Sequence, residues 1–364
     1  MHTPSKIVAG LAAGAGAAAL VLGIDAVGPV ARRVTGARSD AATAPLRSIE
    51  WRTYDWRMAR TADPSTARAD VALVEIDEYS LRNLQPNAGR WPWPRAVHSM
   101  LLDYLTRAPA RVIVYDVNFA EPDDRSSFPF GGTTWSGQES DQALVDSMRA
   151  AGNVILPIDA SFEGSLAPGT QPVRLRDQGF LPGQPGGTAP SGALDRRVVF
   201  PPFPALADAA AGVGHSLLVF DPDGPVRHTV PFVTSGGTAV PSLGMAAALR
   251  ASAIPTSEVG LDAGGLRVRD QRLPLAPRRV AQGDQTLDYR WGLVNFRGPG
   301  LLAEGRSRPY ASYTFFDLLV SEEQLLANER PKVDPSVFKD KVVFVGVTAS
   351  GLSDVFETPF ARGK

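Results

Sequence analysis

The chain has 364 residues, 44% hydrophobic, 21% charged and 8% aromatic, which excludes a disordered chain, a disulfide-stapled miniprotein and a multi-spanning membrane protein, and leaves room for about two domains. Thirty-seven basic residues stand against 38 acidic ones, a net charge of -1, so there is no basic footprint and no nucleic-acid partner is expected. The absence of cysteine excludes disulfides, thiolate metal sites and cysteine nucleophiles, and suits either side of a membrane.

Residues 7–24 carry no charge, and helix-compatible apolar residues continue to Val30. This reads as a membrane anchor over 7–30; because the run is short and mostly Ala and Gly, a cleaved signal peptide is the competing reading. Lys6 and the N-terminal amine favour an inside start, whereas Arg32, Arg33 and Arg38 pull the other way, so charge counting leaves the orientation open. From Arg47 to Arg60, Ile49, Trp51 or Tyr54, and Trp56 or Met58 recur among charges, the pattern of an amphipathic helix leading out of the membrane. Val71–Ile76 is a short apolar run of the buried parallel type. Helical spacing at Ala96–Leu105, a strand at Arg111–Phe119, a helix at Asp141–Ala151 and a strand at Asn153–Ile158 extend the alternation, which predicts an α/β fold with a mostly parallel central sheet and flanking helices. Residues 165–197, rich in Pro, Gly and Ser, read as a long surface excursion. Gly214–Phe220 and Val226–Val233 flank Asp221-Pro222-Asp223-Gly224 and predict an inserted antiparallel hairpin. A helix over Ser242–Ala251, a hairpin over Gly265–Pro274, a strand at Trp291–Phe296, a helix from Thr314 and a last parallel strand at Val342–Val347 complete one α/β domain over 47–360.

In an open parallel sheet ligands bind beyond the carboxyl ends of the strands. Asp77 and Glu78 follow the first strand, Asp116, Asn118 and Glu121 lie in and after the second, and Asp354 follows the last. Converging carboxylates there would serve a hard cation or acid–base chemistry, the basis for an alternative reading as a metal-dependent hydrolase. Against it, Asp77 with Ser80 three residues on suits a helix N-cap, and Asp116 suits loop amides. No metal or cofactor is expected. Gly89–Arg95 (GRWPWPR) alternates two prolines with two tryptophans; it reads as a rigid clamp, or as an aromatic ligand pocket, with Arg95 directed at Asp77 or Asp116. Nucleophilic catalysis finds no G-x-S-x-G elbow in a strand-to-helix context, and residues 348–353 complete no phosphate-binding fingerprint.

The segments DEYSL (77–81), RWPWPR (90–95), VIVYDVNFAEPD (112–123), FDPDGPVRHTVPFV (220–233) and FKDKVVFVGVTASGLSDVFETPF (338–360) together resemble the second type of CHASE domain, a bacterial extracytoplasmic sensory domain, in order over nearly the whole chain after residue 30. The resemblance implies a cytoplasmic start at 1–6, a single pass through the inner or plasma membrane and an extracytoplasmic main domain. It also implies further membrane helices and a cytoplasmic cyclase or kinase output beyond Lys364, so a fragment of a longer receptor is expected. The chain itself is then no enzyme. The expected site residues are Asp77, Arg95, Asp116, Asn118, Asn295, Arg297 and Asp354, and the expected partners are a small-molecule or protein signal, the membrane and a second copy of the chain. A module that only binds a protein partner is the remaining alternative, for which a large exposed apolar patch would be the sign.

Overall fold

The computed structural model describes residues 39–160, 194–196, 200–221, 223–235, 238–255, 258–262, 265–282, 285–299, 308–352 and 356–360. The apolar segment 7–30, most of the excursion 165–197 and Asp354 lie outside them. Among the described residues no helix is long and apolar enough to cross a membrane. Two compact units divide the chain, residues 1–62 with 358–364 forming one and Asp63–Glu357 the other.

In the first unit, helix α1 runs from Ser39 to Thr61 and so begins before the expected Arg47. Its sheltered positions are Trp51, Tyr54, Asp55 and Met58, an i, i+3, i+4, i+7 stripe, whereas Ile49 and Trp56 stand exposed. The buried stripe is therefore narrower than the expected one and carries a carboxylate.

The second unit begins with β1 (Val71–Ile76), α2 (Glu78–Ala88), α3 (Arg95–Thr106), β2 (Val112–Asp116), a small hairpin of β3 (Phe128–Phe130) and β4 (Thr133–Trp135), α4 (Gly137–Ala151) and β5 (Val154–Ile158). After the excursion come β6 (Leu194–Asp195), α5 (Pro204–Ala209), β7 (Gly212–His215), β8 (His228–Thr229), β9 (Phe232–Ser235), β10 (Thr238–Pro241) and α6 (Leu243–Ala251). The chain continues through β11 (Val259–Asp262), β12 (Gly265–Val268), β13 (Gln271–Leu273), β14 (Ala276–Gln282) and β15 (Gln285–Leu293) to β16 (Ala311–Thr314), α7 (Phe315–Leu326) and β17 (Val342–Val347).

Six strands form the central sheet in the order β16-β1-β17-β2-β5-β7, every neighbouring pair parallel. Side chains alternate across it. Ile113 and Tyr115 of β2 join a core with Leu84 of α2, Leu101 of α3, Leu144 of α4 and Phe315 of α7, while Val112 and Val114 pack with Leu243 and Ala247 of α6 on the other face. Burial on both faces explains why β2 and β5 read as continuous apolar runs. The α/β class and parallel sheet match the expectation, and because all six strands run the same way their carboxyl ends share one edge.

The hairpin expected at 214–233 does not form. Gly212–His215 pairs in parallel with β5, and His228–Thr229 pairs instead with Gly292 and Leu293 of β15. The Asp-Pro-Asp-Gly turn does close, Gly224 N–H donating to the Asp221 carbonyl at 2.9 Å, with Gly224 at φ 110°. What prevents the ladder is the chemistry around the turn: Pro225 and Pro231 have no amide to donate, and the two Asp carboxylates, Asp221 buried and Asp223 part-buried, turn in to pair with the buried Arg227 rather than standing outside a strand pair. The hairpin at Gly265–Pro274 forms as β12 and β13, with β11 added beside it.

Candidate ligand cavity at the strand ends

The carboxyl edge of the sheet opens into a cavity of about 880 Å³. Asp116, Val117, Asn118 and Phe119 enter it from the end of β2, Pro157 from β5 and Asp159 from just beyond it, Ser216, Leu218 and Phe220 from the chain after β7, and Val347 from β17. Trp91, Pro92, Trp93, Arg95 and His98 close one side, and Leu352 and Phe356 another. This is where an open parallel sheet collects ligands, because the loops that leave its strands diverge there.

The Trp-Pro-Trp-Pro-Arg segment does two things. Trp93, 1% exposed, is core: its ring lies 5.2 Å from Phe315 and 5.0 Å from Trp91, edge to face with the latter. Trp91 stays half-buried at the cavity. Both surround His98, whose Nδ1 lies 2.8 Å from the Tyr115 hydroxyl; burial, helped by the Arg95 charge, lowers the imidazole pKa to about 3, so it is neutral. The Trp93 indole N–H is buried and finds no acceptor among the described residues.

Pro94 precedes α3 and offers no side-chain cap. Ser140 of α4 supplies one from outside, its Oγ accepting from Ala96 N–H at 2.9 Å. The next residue, Asp141, holds Arg95: Nε and Oδ1 are 3.6 Å apart, both buried and without a hydrogen bond among the described residues. The other Asp141 oxygen accepts from the Asp123 amide at 2.8 Å. Burial raises the Asp141 pKa, and the Asp123 amide and Arg95 pull it back. Arg95 also donates to the Glu121 carbonyl at 2.8 Å and lies over the Phe119 ring. Its acidic partner is thus Asp141, not the expected Asp77 or Asp116. Arg125 ties the same loop to the clamp, bonding Asp123 and the Pro92 carbonyl, each at 2.8 Å.

Of the expected site residues, Arg95, Asp116 and Asn118 come together in the cavity. Asp77 caps α2, accepting from Ser80 N–H at 2.8 Å and from its hydroxyl at 2.6 Å, the alternative its spacing allowed. Asn295 is exposed and away from the cavity lining, and Arg297 reaches Thr66 Oγ1 at 3.4 Å. Asp354 lies outside the described residues. The backbone amides after β17 are spoken for within the fold: those of Thr348 and Ala349 donate to the Ile76 carbonyl, and that of Ser350 to the Glu78 carboxylate. Among the described residues no group of three His, Asp or Glu side chains is placed to hold a metal ion.

Sequence reasoning missed a second polar cluster beside the cavity. Arg227, wholly buried, bonds Asp221 at 3.0 Å and both oxygens of Asp223 at 2.8 and 3.0 Å. Asp221 also meets His228 Nδ1 at 2.9 Å, and the His228 ring stacks on Trp291 at 3.5 Å with Arg278 over the same indole. Losing one member would strand a buried charge, a cost of about 3–5 kcal/mol, so the arrangement holds one geometry. It fixes the chain next to the cavity: Phe220 packs on Phe356 with ring centroids 5.1 Å apart, and Val226 N–H donates to the Glu357 carbonyl at 2.8 Å. The signal was present in D-x-D-G-x-x-R, two acids and one Arg among apolar residues, but the turn-forming Pro and Gly masked it.

A family model described as the CHASE2 domain matches residues 30–363. No curated protein and no solved structure matches the chain. The match extends over nearly the whole sequence, through the clamp, the strands that build the cavity and the segment after β17, and the chain belongs to the CHASE2 domain family.

Proposed function

We propose that this chain is the extracytoplasmic ligand-sensing part of a bacterial membrane receptor, with the cavity at the strand ends as the signal site. The family is a sensory one, and the observation that carries the reading is the cavity itself, a space in the size range of small-molecule sites lined by both apolar and polar side chains. Segment 7–30 supplies the anchor in this reading, and a cyclase or kinase in a longer protein supplies the response. A ligand acts by binding one arrangement of the walls better than another, so the differential contact falls on Phe220, Leu352 and Phe356, which come from different stretches of chain. The clamp and the Arg227 cluster give those walls rigid backing.

The test is a thermal-shift screen of the full chain in detergent against a broad library of ions, metabolites and short peptides. Binding at about 100 times Kd stabilises by roughly 2.7 kcal/mol, a shift of several degrees. We expect at least one saturable shift that Asp116→Ala and Asn118→Ala abolish. A library that yields none, or only shifts indifferent to both substitutions, overturns the cavity as the signal site.

A further inference from the structure

Resting on segment 7–30 as the membrane anchor, we infer that the outward face of α1 is a binding surface of its own, which lies along the headgroups of an anionic phospholipid leaflet beside that anchor. At 3.6 residues per turn, Ile49, Thr53, Trp56 and Arg60 fall within an arc of about 60° on the helix, with Arg52 at one border and Arg57 at the other. All six are exposed, Ile49 and Trp56 to 59% each. The sheltered stripe of Trp51, Tyr54, Asp55 and Met58 occupies the opposite side, so the helix buries one side and presents the other.

Two large apolar side chains held in water about 10 Å apart along the axis, with three arginines around them, make the kind of face that rests in a membrane interface. An indole is favoured at headgroup depth, where its body leaves water and its N–H still finds a polar partner. Arginine keeps its guanidinium at the phosphates while its methylenes cover apolar surface. Trp56 and Arg60 already form such a unit, the guanidinium lying 4.8 Å from the indole centroid. Between Ile49 and Thr61 the exposed acid is Glu50 alone, and none of the three arginines has an acid partner among the described residues. The face therefore carries a net positive charge that an anionic surface complements. Chain length permits the contact: residues 31–38 separate the anchor from the start of α1 and reach at most about 30 Å.

A second copy of the chain fits the face less well. Ile49 and Trp56 have the spacing of successive a positions in a heptad, but the d position after Ile49 is Arg52, and two parallel copies would set that charge against itself at the seam. An acidic protein must arrive by diffusion, whereas the anchor holds the lipid surface within reach at all times.

The chain has no cysteine, so a single fluorophore can be placed on the face at Thr53→Cys. The labelled full chain is reconstituted into vesicles of phosphatidylcholine with or without phosphatidylglycerol, each prepared with and without a lipid quencher that sits just below the headgroups. We expect the chain to float with the vesicles through its anchor and the label to be quenched in phosphatidylglycerol vesicles, less so in phosphatidylcholine alone and less so at high salt. Arg52→Gln, Arg57→Gln and Arg60→Gln, at exposed positions where substitution leaves the fold intact, should each lower the ratio of docked to undocked label roughly fivefold, and Trp56→Ser should lower it in both lipids. A chain that floats with an unquenched label overturns the surface and leaves the anchor standing. Quenching indifferent to phosphatidylglycerol and to all three arginine substitutions overturns the anionic occupant. Energy transfer between labelled copies without quenching by lipid puts a second copy on the face and overturns the inference. Failure to float overturns the anchor and the inference with it.

Discussion

His98 and His215 are the residues on which acid should act first. Burial lowers both to about 3 from an ordinary 6.5, and neighbouring Arg95 and Arg196 add to the effect. The unfolded chain takes up protons on these rings near pH 6.5 while the folded chain refuses them until about pH 3. Stability from this source is therefore complete above about pH 6.5 and is lost as the pH falls through that window, by ~1.4 kcal/mol per pH unit for each histidine. Urea unfolding at pH 7, 6 and 5 should show this slope, and His98→Gln should remove about half of it; an unfolding free energy flat from pH 7 to 5 would contradict the burial. Neither histidine was singled out by its sequence neighbours, since burial depends on residues distant in the chain. Asp77 and Ser80, by contrast, were legible as a cap because a cap is a local hydrogen bond. Arg95 was legible as a paired arginine, but its partner was not: Asp141 arrives from another helix, and only the packing of α3 on α4 brings it there.

Helix α4 shows how much one element can hold. Its start is a capping box, Ser136 N–H donating to Glu139 at 2.7 Å and Glu139 N–H to Ser136 Oγ at 3.2 Å, and Gly152 ends it at φ 64°. Its first residue must be glycine for a different reason. The Gly137 amide donates to the Arg125 carbonyl at 2.8 Å, and a Cβ there would stand 2.2 Å from the Asp123 carbonyl oxygen, a backbone atom that cannot swing away. Gly137→Ala should thus push the 121–125 loop off α4, costing about 1–3 kcal/mol by chemical denaturation and displacing Arg95 with it. Ser136→Ala, which removes only the cap, should cost about 1 kcal/mol and leave the loop in place. Equal effects from the two would show that the close approach carries no weight. At this scale the sequence was most informative where the pattern is self-contained: β1 and β17 match their apolar runs residue for residue. It misled at 214–233, where turn residues that favour a hairpin serve instead to bring two carboxylates onto a buried arginine.

Across the whole molecule the order of strands departs most from the order of the chain. The last strand, β17, lies between β1 and β2, and its register joins Val71–Ile76 on one side to Val112–Asp116 on the other. No local pattern announces this; the apolar run at 342–347 shows only that the strand is buried. Removing the chain from Val342 onward should abolish cooperative unfolding, and a synthetic peptide of residues 335–360 added to that truncated chain should restore it, read by near-ultraviolet circular dichroism. A truncated chain that keeps a sharp transition would mean that the sheet closes without its centre.

The same placement bears on how the protein comes to be made. As the chain emerges from the ribosome, β1 and β2 exist long before their shared neighbour, each with an unpaired edge of backbone donors and acceptors. Their native separation leaves a gap one strand wide, and direct pairing of the two would be a trap that must be undone before residues 342–347 can enter. Biogenesis should therefore depend on whatever holds the nascent chain open until its final strand is delivered, and depletion of holding chaperones should lower the yield of this protein more than that of a parallel-sheet protein whose strands add in chain order.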